Sequence, residues 1–210
     1  MDDRLRLAEL VCARICHDLS GLLGSLVGTL EVVAEEAGTT EATSIATDTA
    51  TALALRLRLL RAAWAGLMEP LELPRLTALA LGLAAGRVRL DVSDLPAATV
   101  FSPPIGRLVL NLLLLAADAL PRGGVLRLDG TDADVIARLD GPNAAWPAGL
   151  IGMLADEAAA WQALTSPQAS PRTLQAPLIV LLARHHGVRL TVLLPAGPST
   201  AAPPLRLAAA

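Results

Sequence analysis

Apolar positions in the first third of the chain recur at helical spacing. Leu5, Cys12, Leu19, Leu26 and Val33 follow one another at seven-residue steps, and a second stripe runs through Ala8, Ile15, Leu22, Leu23 and Leu30. Two adjacent stripes make the wide apolar face of a bundle helix, so the pattern predicts one long helix over 3–37. Gly38 supplies a C-terminal stop, and Thr39 or Thr40 an N-cap for a second helix. Residues 40–68 repeat the pattern through Ala46, Leu53, Leu60 and Leu67, with Ala50, Leu57 and Trp64 beside them. The short connection makes the pair an antiparallel hairpin. One hairpin cannot cover both stripes. Two related by a two-fold axis close a four-helix bundle, so a homodimer is expected.

Pro70 and Pro74 interrupt the helical pattern and mark the end of a first domain, 1–69. Beyond them the chain alternates between helical and strand patterns over 74–195. Helices are expected over 74–85, 103–120, 148–164 and 174–186, the second capped by Ser102 and the last closed by Gly187. Strands are expected over 87–92, 125–129, 134–139 and 188–194, with a turn at Pro121-Arg122-Gly123-Gly124 and a loop over 165–171. This predicts an α/β sandwich, a mixed sheet with helices on one face. The Pro- and Ala-rich tail, 196–210, is expected to be disordered.

Composition narrows the chemistry. Apolar residues are 53% of the chain, enough for a sizeable core built mainly of Leu, Ala and Val. All 17 basic residues are Arg, which removes P-loop and Schiff-base lysine chemistry. The net charge is −3 with no basic stripe, so a nucleic-acid partner is not expected. The longest strongly apolar run, 112–117, is far short of the roughly 20 residues of a membrane helix. The start, Met1-Asp2-Asp3-Arg4, does not resemble a signal peptide. Cys12 and Cys16, one helical turn apart, read as reduced thiols of a cytoplasmic protein. No further cysteine completes a zinc site. His185 and His186 point about 100° apart on a helix and read as C-terminal capping residues, not chelators.

The most informative stretch surrounds His17. The seven-residue frame turns Leu5, Cys12 and Leu19 inward and puts His17 outward, in register with Leu10 and Gly24. An exposed neutral imidazole is a good nucleophile near neutral pH, and the following Asp18 can fix its tautomer. The plainer reading is an ordinary surface histidine. Gly21, Gly24 and Gly28 shift the balance, because each costs a helix roughly 1 kcal/mol relative to Ala. Close approach of a partner protein would explain them, as would tight helix packing. Arg14 lies one turn before His17, and Arg58 and Arg61 lie at its level on the antiparallel helix. They would stabilise a phosphoryl group, or form a solvated basic face.

His17-Asp18-Leu19-Ser20-Gly21-Leu22-Leu23-Gly24 resembles the phospho-acceptor motif of histidine-kinase dimerisation domains, and more specifically that of the ChpT-type histidine phosphotransferases. Leu22 stands where that family usually has Pro. The segment Leu108 to Gly124 is similar to the asparagine box of the kinase ATP-binding domain, with Leu115 at the position of the Mg²⁺-binding Asn. Leucine offers no oxygen to a hard cation. Asp140-Gly141-Pro142-Asn143 lacks the spaced glycines of the adenine motif, and Ser166-Pro167-Gln168-Ala169-Ser170-Pro171 replaces the glycine-rich lid. Asn111 and Asp140 then read as structural residues.

The resemblance implies a dimeric four-helix bundle followed by a degenerate ATPase-like α/β sandwich. It implies a phosphorelay phosphotransferase that passes a phosphoryl group between receiver-domain aspartates through His17, without ATP. Asp18 would orient the ring, and Arg14, Ser20, Gly21, Gly24, Arg58 and Arg61 would contact receivers. The implied partners are a second copy, the receiver of a hybrid histidine kinase and response-regulator receivers. No cofactor of its own is expected, the receiver bringing Mg²⁺. An active kinase and a non-catalytic receiver-docking scaffold are the alternatives.

Overall fold

The computed structural model describes residues 2–35, 40–65, 69–83, 87–194 and 201–209. Two long helices, α1 (Asp3–Glu35) and α2 (Thr40–Trp64), form the hairpin. The expected stop at Gly38, the cap at Thr39 and the position Leu67 lie outside the described residues. A short bridge comes next, in which β1 (Leu71–Glu72) starts α3 (Leu73–Ala80) and later pairs antiparallel with β3 (Val100–Phe101). Between them runs β2 (Val88–Asp94). Next come α4 (Pro103–Ala119), β4 (Gly124–Gly130), β5 (Asp134–Asp140), α5 (Leu150–Ala155), α6 (Glu157–Thr165), α7 (Gln175–His185), β6 (Val188–Val192) and β7 (Leu205–Ala209).

The five-stranded sheet has the order β2-β4-β5-β7-β6, with β2 parallel to β4 and the other pairs antiparallel. One face is apolar, through Leu126, Leu128, Val135, Ala137, Leu205 and Leu207, all fully buried. The other carries ion pairs, Arg127 with Asp91, Arg138 with Asp129 and Arg206 with Asp134. α4 lies in the middle of the core. Its residues from Leu108 to Leu115 are buried on every side, as a helix apolar all round must be. The same core takes in Leu59, Leu60 and Ala63 of α2, so it runs from the α/β part into the base of the hairpin.

Three expectations are corrected. The tail is not disordered from 196 onward: Leu205–Ala209 is a sheet strand between β5 and β6. Its Leu-Arg-Leu alternation buries both leucines and leaves Arg206 outward on Asp134. The helix expected over 148–164 is two helices. Asp156 takes extended angles and its side chain accepts from the Ala158 amide, an N-cap that restarts the chain as α6. The facing of α1 also differs in its first half. Leu5 is 55% exposed and Cys12 exposed, whereas Leu10 is only 3% exposed. Leu10 packs on Leu164, Leu174 and Leu178, so α6 and α7 cover the side the heptad frame left outward. By length and composition α1 could cross a membrane. Its central Arg14 and Asp18, however, are held by polar partners within the protein.

Candidate functional site

The site is built on the middle of α1, just above the contact with α6 and α7. Residues four apart on a helix are neighbours, which puts Arg14 beside Asp18. The Arg14 Nε lies 3.0 Å from Asp18 Oδ1. Arg56 comes from the facing helix α2, and its Nη2 lies 2.5 Å from Asp18 Oδ2. Its Nη1 donates to the Gly82 carbonyl at 3.3 Å. Gly82 is needed there, because a Cβ on it would meet the Leu55 carbonyl oxygen of α2 at 2.4 Å.

The other end of the Arg14 guanidinium reaches into the α/β part. Nη2 donates to Asp118 Oδ1 at 2.9 Å, and Nη1 donates to Asp118 Oδ2 at 3.3 Å and to the Pro171 carbonyl at 2.9 Å. Asp118 sits in the last turn of α4 and Pro171 in the loop before α7. His17 completes the chain of contacts. Its Nδ1 is 3.2 Å from Asp18 Oδ1, and its side chain is 49% exposed while that of Asp18 is 8% exposed.

Charge is set by these partners. Burial alone would push the Asp18 carboxyl up, but Arg56 and Arg14 together outweigh it and hold the group below the usual carboxylate range. Burial would likewise lower the Arg14 guanidinium, and the bond to Asp118 and the charges of Asp118 and Asp18 reverse the sign. Asp118 goes the other way. Burial raises its carboxyl, and Arg14 does not fully offset that. Asp18 is thus an ionised, fixed acceptor. An ionised carboxylate only accepts, so in the neutral ring His17 Nδ1 carries the proton and Nε2 keeps its lone pair.

The residues read from sequence fall into three groups. His17, Asp18, Ser20, Gly21 and Gly24 share one stretch of α1, with His17 and Ser20 exposed and the Ser20 hydroxyl donating to the Cys16 carbonyl at 2.6 Å. Gly21, Gly24 and Gly28 form an open row. Among the described residues a Cβ on any of them would meet nothing within 4 Å, so packing between those residues does not require them. Arg14 is not a surface docking residue. It is 6% exposed and consumed by Asp18, Asp118 and Pro171. Arg58 and Arg61 are exposed and lie about 200° and 140° further round α2 than Arg56, so they turn away from Asp18. The arginine that reaches the site is Arg56, and sequence reasoning missed both it and Asp118. The phase of α2 that selects Arg56 among three arginines is set by its packing.

Asn111 is fully buried and ties three elements together. Its Oδ1 accepts from Trp64 Nε1 at 3.1 Å and Gln175 Nε2 at 3.0 Å, and its Nδ2 donates to the Ala63 carbonyl at 3.1 Å. Leu115 is fully buried, and Asp140 ends β5 exposed. Among the described residues no group of three or more His, Cys, Asp or Glu could hold a metal ion. Cys12 and Cys16 are exposed free thiols. His186 is not a charged cap, because burial, then Arg107 and His185, lower its basicity.

Protein phosphotransferase ChpT of Brucella abortus (strain 2308) is 32% identical over 135 residues, 62% of this chain and 64% of that protein. The chain therefore aligns with just under two thirds of that relative's length. A solved structure of a bacterial phosphotransferase superposes with a TM-score of 0.72 at 21% identity, over 97% of this chain and 96% of the other, so the fold is shared. Residues 73–197 match the histidine phosphotransferase C-terminal domain, and on that match over more than half of its length the chain belongs to the histidine phosphotransferase family.

Proposed function

We propose that this protein is a phosphorelay histidine phosphotransferase whose acceptor is His17 Nε2. A phosphorylated receiver domain of a hybrid histidine kinase docks on the open face of α1. The Nε2 lone pair attacks the phosphorus of the aspartyl phosphate in line. The P–N bond forms as the P–O bond breaks, and the electron pair leaves with the receiver's carboxylate. The ring becomes a phosphoimidazolium whose positive charge lies beside Asp18, and Nδ1 keeps its proton. A response-regulator receiver then reverses the step onto its own aspartate. Each receiver supplies the Mg²⁺ that shields the phosphoryl oxygens, so this chain needs no cofactor and no ATP.

The observation that carries this reading is a half-exposed imidazole whose inner nitrogen is held by a carboxylate, itself fixed by two buried arginines. Ser20, Gly21 and Gly24 continue the same face, and a row without side chains suits close approach of a docked domain. The homodimer belongs to the proposal as well. Leu5, Leu23, Val27 and Leu30 leave an exposed apolar stripe on α1, about 100° round from His17, and Ile45 and Leu57 are exposed on α2. Pairing two hairpins across these residues would bury the stripe and keep both acceptors outward. The setting is cytoplasmic.

Incubation with a phosphorylated receiver tests the reading. The expected result is an acid-labile, base-stable label on the wild type and none on His17→Ala. Equal label on both proteins discards His17 as acceptor, and docking without label leaves a scaffold.

A further inference from the structure

We propose that Asp118 of the α/β domain is a positioning residue for His17, acting through Arg14. The inference rests on His17 as acceptor and adds a part that the hairpin alone does not contain. Asp118 stands in the last turn of α4, where a carboxylate is electrostatically disfavoured. Burial opposes its charge further. A carboxylate kept there has a specific partner, and that partner is the fork of Arg14 at 2.9 and 3.3 Å.

The geometry says what the pairing does. A guanidinium is a rigid plane, so fixing one edge fixes the other. Asp118 holds Nη1 and Nη2, and the Pro171 carbonyl holds Nη1 as well. Nε is then directed at the Asp18 carboxylate, 3.0 Å from Oδ1 and donating to Oδ2 at 3.1 Å. The same Oδ1 takes the proton of His17 Nδ1, while Arg56 engages Oδ2. The carboxylate that selects the tautomer of His17 is therefore placed by Arg14, and Arg14 is placed by Asp118. The contact between Asp18 and His17, at 3.2 Å, is the longest of these shared contacts at Oδ1 and the first to loosen when the plane of Arg14 is freed.

The chain has three histidines, which makes the test direct. Nitrogen-15 labelling of histidine in the full-length protein, with His17→Ala to assign the signal, reads which ring nitrogen carries the proton at a pH where the imidazole is neutral. The wild type is expected in the Nδ1–H form. In Asp118→Asn the population is expected to move toward Nε2–H, the form a free imidazole side chain prefers. The limiting rate of transfer from a phosphorylated receiver should fall about tenfold at an unchanged half-saturating receiver concentration. Asp118→Glu, which restores the charge, should recover part of both. A wild-type tautomer and rate in Asp118→Asn, or a change in half-saturation alone, overturns the proposal. If Asp118→Asn melts without cooperativity, Arg14→Lys keeps the charge and removes the fork. An unchanged tautomer there overturns it equally. A tautomer shift with no label on wild-type His17 sinks the acceptor reading and leaves the positioning role standing. Label on the wild type with an indifferent Asp118→Asn does the reverse.

Discussion

Replacing Arg56 by Met keeps most of the apolar stem and removes the charge that faces Asp18. Two interactions disappear. The first is a charge-assisted bond at 2.5 Å between side chains 10% and 8% exposed, too buried for the weak energetics of surface pairs. A hydrogen bond to a charged group contributes about 1.5–3 kcal/mol. The second is the longer bond to the Gly82 carbonyl, about 0.5–1 kcal/mol. Relief of the cost of burying Arg56 offsets part of this, and Arg14 still holds Asp18, so the net loss at pH 7 is about 2 kcal/mol. The loss depends on pH with a definite sign. The folded Asp18 carboxyl lies below its unfolded value, so its stabilisation is present above about pH 4 and is lost as pH falls through the folded value. Arg56→Met leaves only Arg14 to depress that value. The gap between wild type and variant should therefore narrow on acidification, toward the part due to Gly82. Urea melts at pH 7 and stepwise to pH 3, at one protomer concentration, give the gap directly. A gap below about 0.5 kcal/mol at pH 7, or one that widens on acidification, refutes the ionised clamp.

Burial and open space set three further outcomes. Ending the chain after Pro204 removes β7 and with it Leu205 and Leu207, each worth about 2 kcal/mol of burial, and leaves both β5 and β6 without the strand that joins them. The circular-dichroism melt should lose cooperativity, and a melt within a few degrees of wild type would show that the strand is dispensable. Asn111→Leu strands Trp64 Nε1, leaves Gln175 Nε2 only the main-chain carbonyl at 111 and leaves the Ala63 carbonyl only the longer bond from Arg107, at a cost of about 2 kcal/mol in urea. A loss below about 1 kcal/mol would mean those groups find other partners. Gly28→Ala meets nothing within 4 Å and should stabilise the helix by about 0.5–1 kcal/mol, raising Tm by a few degrees. A lower Tm would place a close neighbour against that face in the assembled protein.

Fold class and most elements were legible because they rest on local rules. Period-seven stripes announced α1 and α2, and Pro103 and Pro104 stand in the first turn of α4 as Pro does at N1. What failed was decided by tertiary contacts or by one residue against a pattern. Asp156 breaks an otherwise helical run, and a single N-cap outweighed the periodicity around it. The strand of Leu205–Ala209 comes after a Pro- and Ala-rich segment whose composition masked five residues of alternation. The face of α1 around Leu10 was assigned to solvent because a heptad frame cannot know that α6 and α7 pack there. At the site, the adjacency of His17 and Asp18 was visible in the sequence. The clamp was not. Asp118 lies 104 residues from Arg14, and nothing in its neighbourhood of leucines and alanines marks it as a partner.

That distance bears on why an α/β domain accompanies the two-helix hairpin that carries His17. The hairpin by itself supplies His17, Asp18, Arg14 and Arg56, but not the other groups that hold the arginines. Asp118, the Pro171 carbonyl and the Gly82 carbonyl all come from beyond residue 69. Asn111 and Arg107 on α4 receive the last turn of α2, through the carbonyls of Ala63 and Trp64. The α/β domain thus fixes the base of both helices, and it reaches Asp18, beside His17, through charged side chains. The domain is the rigid body against which the imidazole is set.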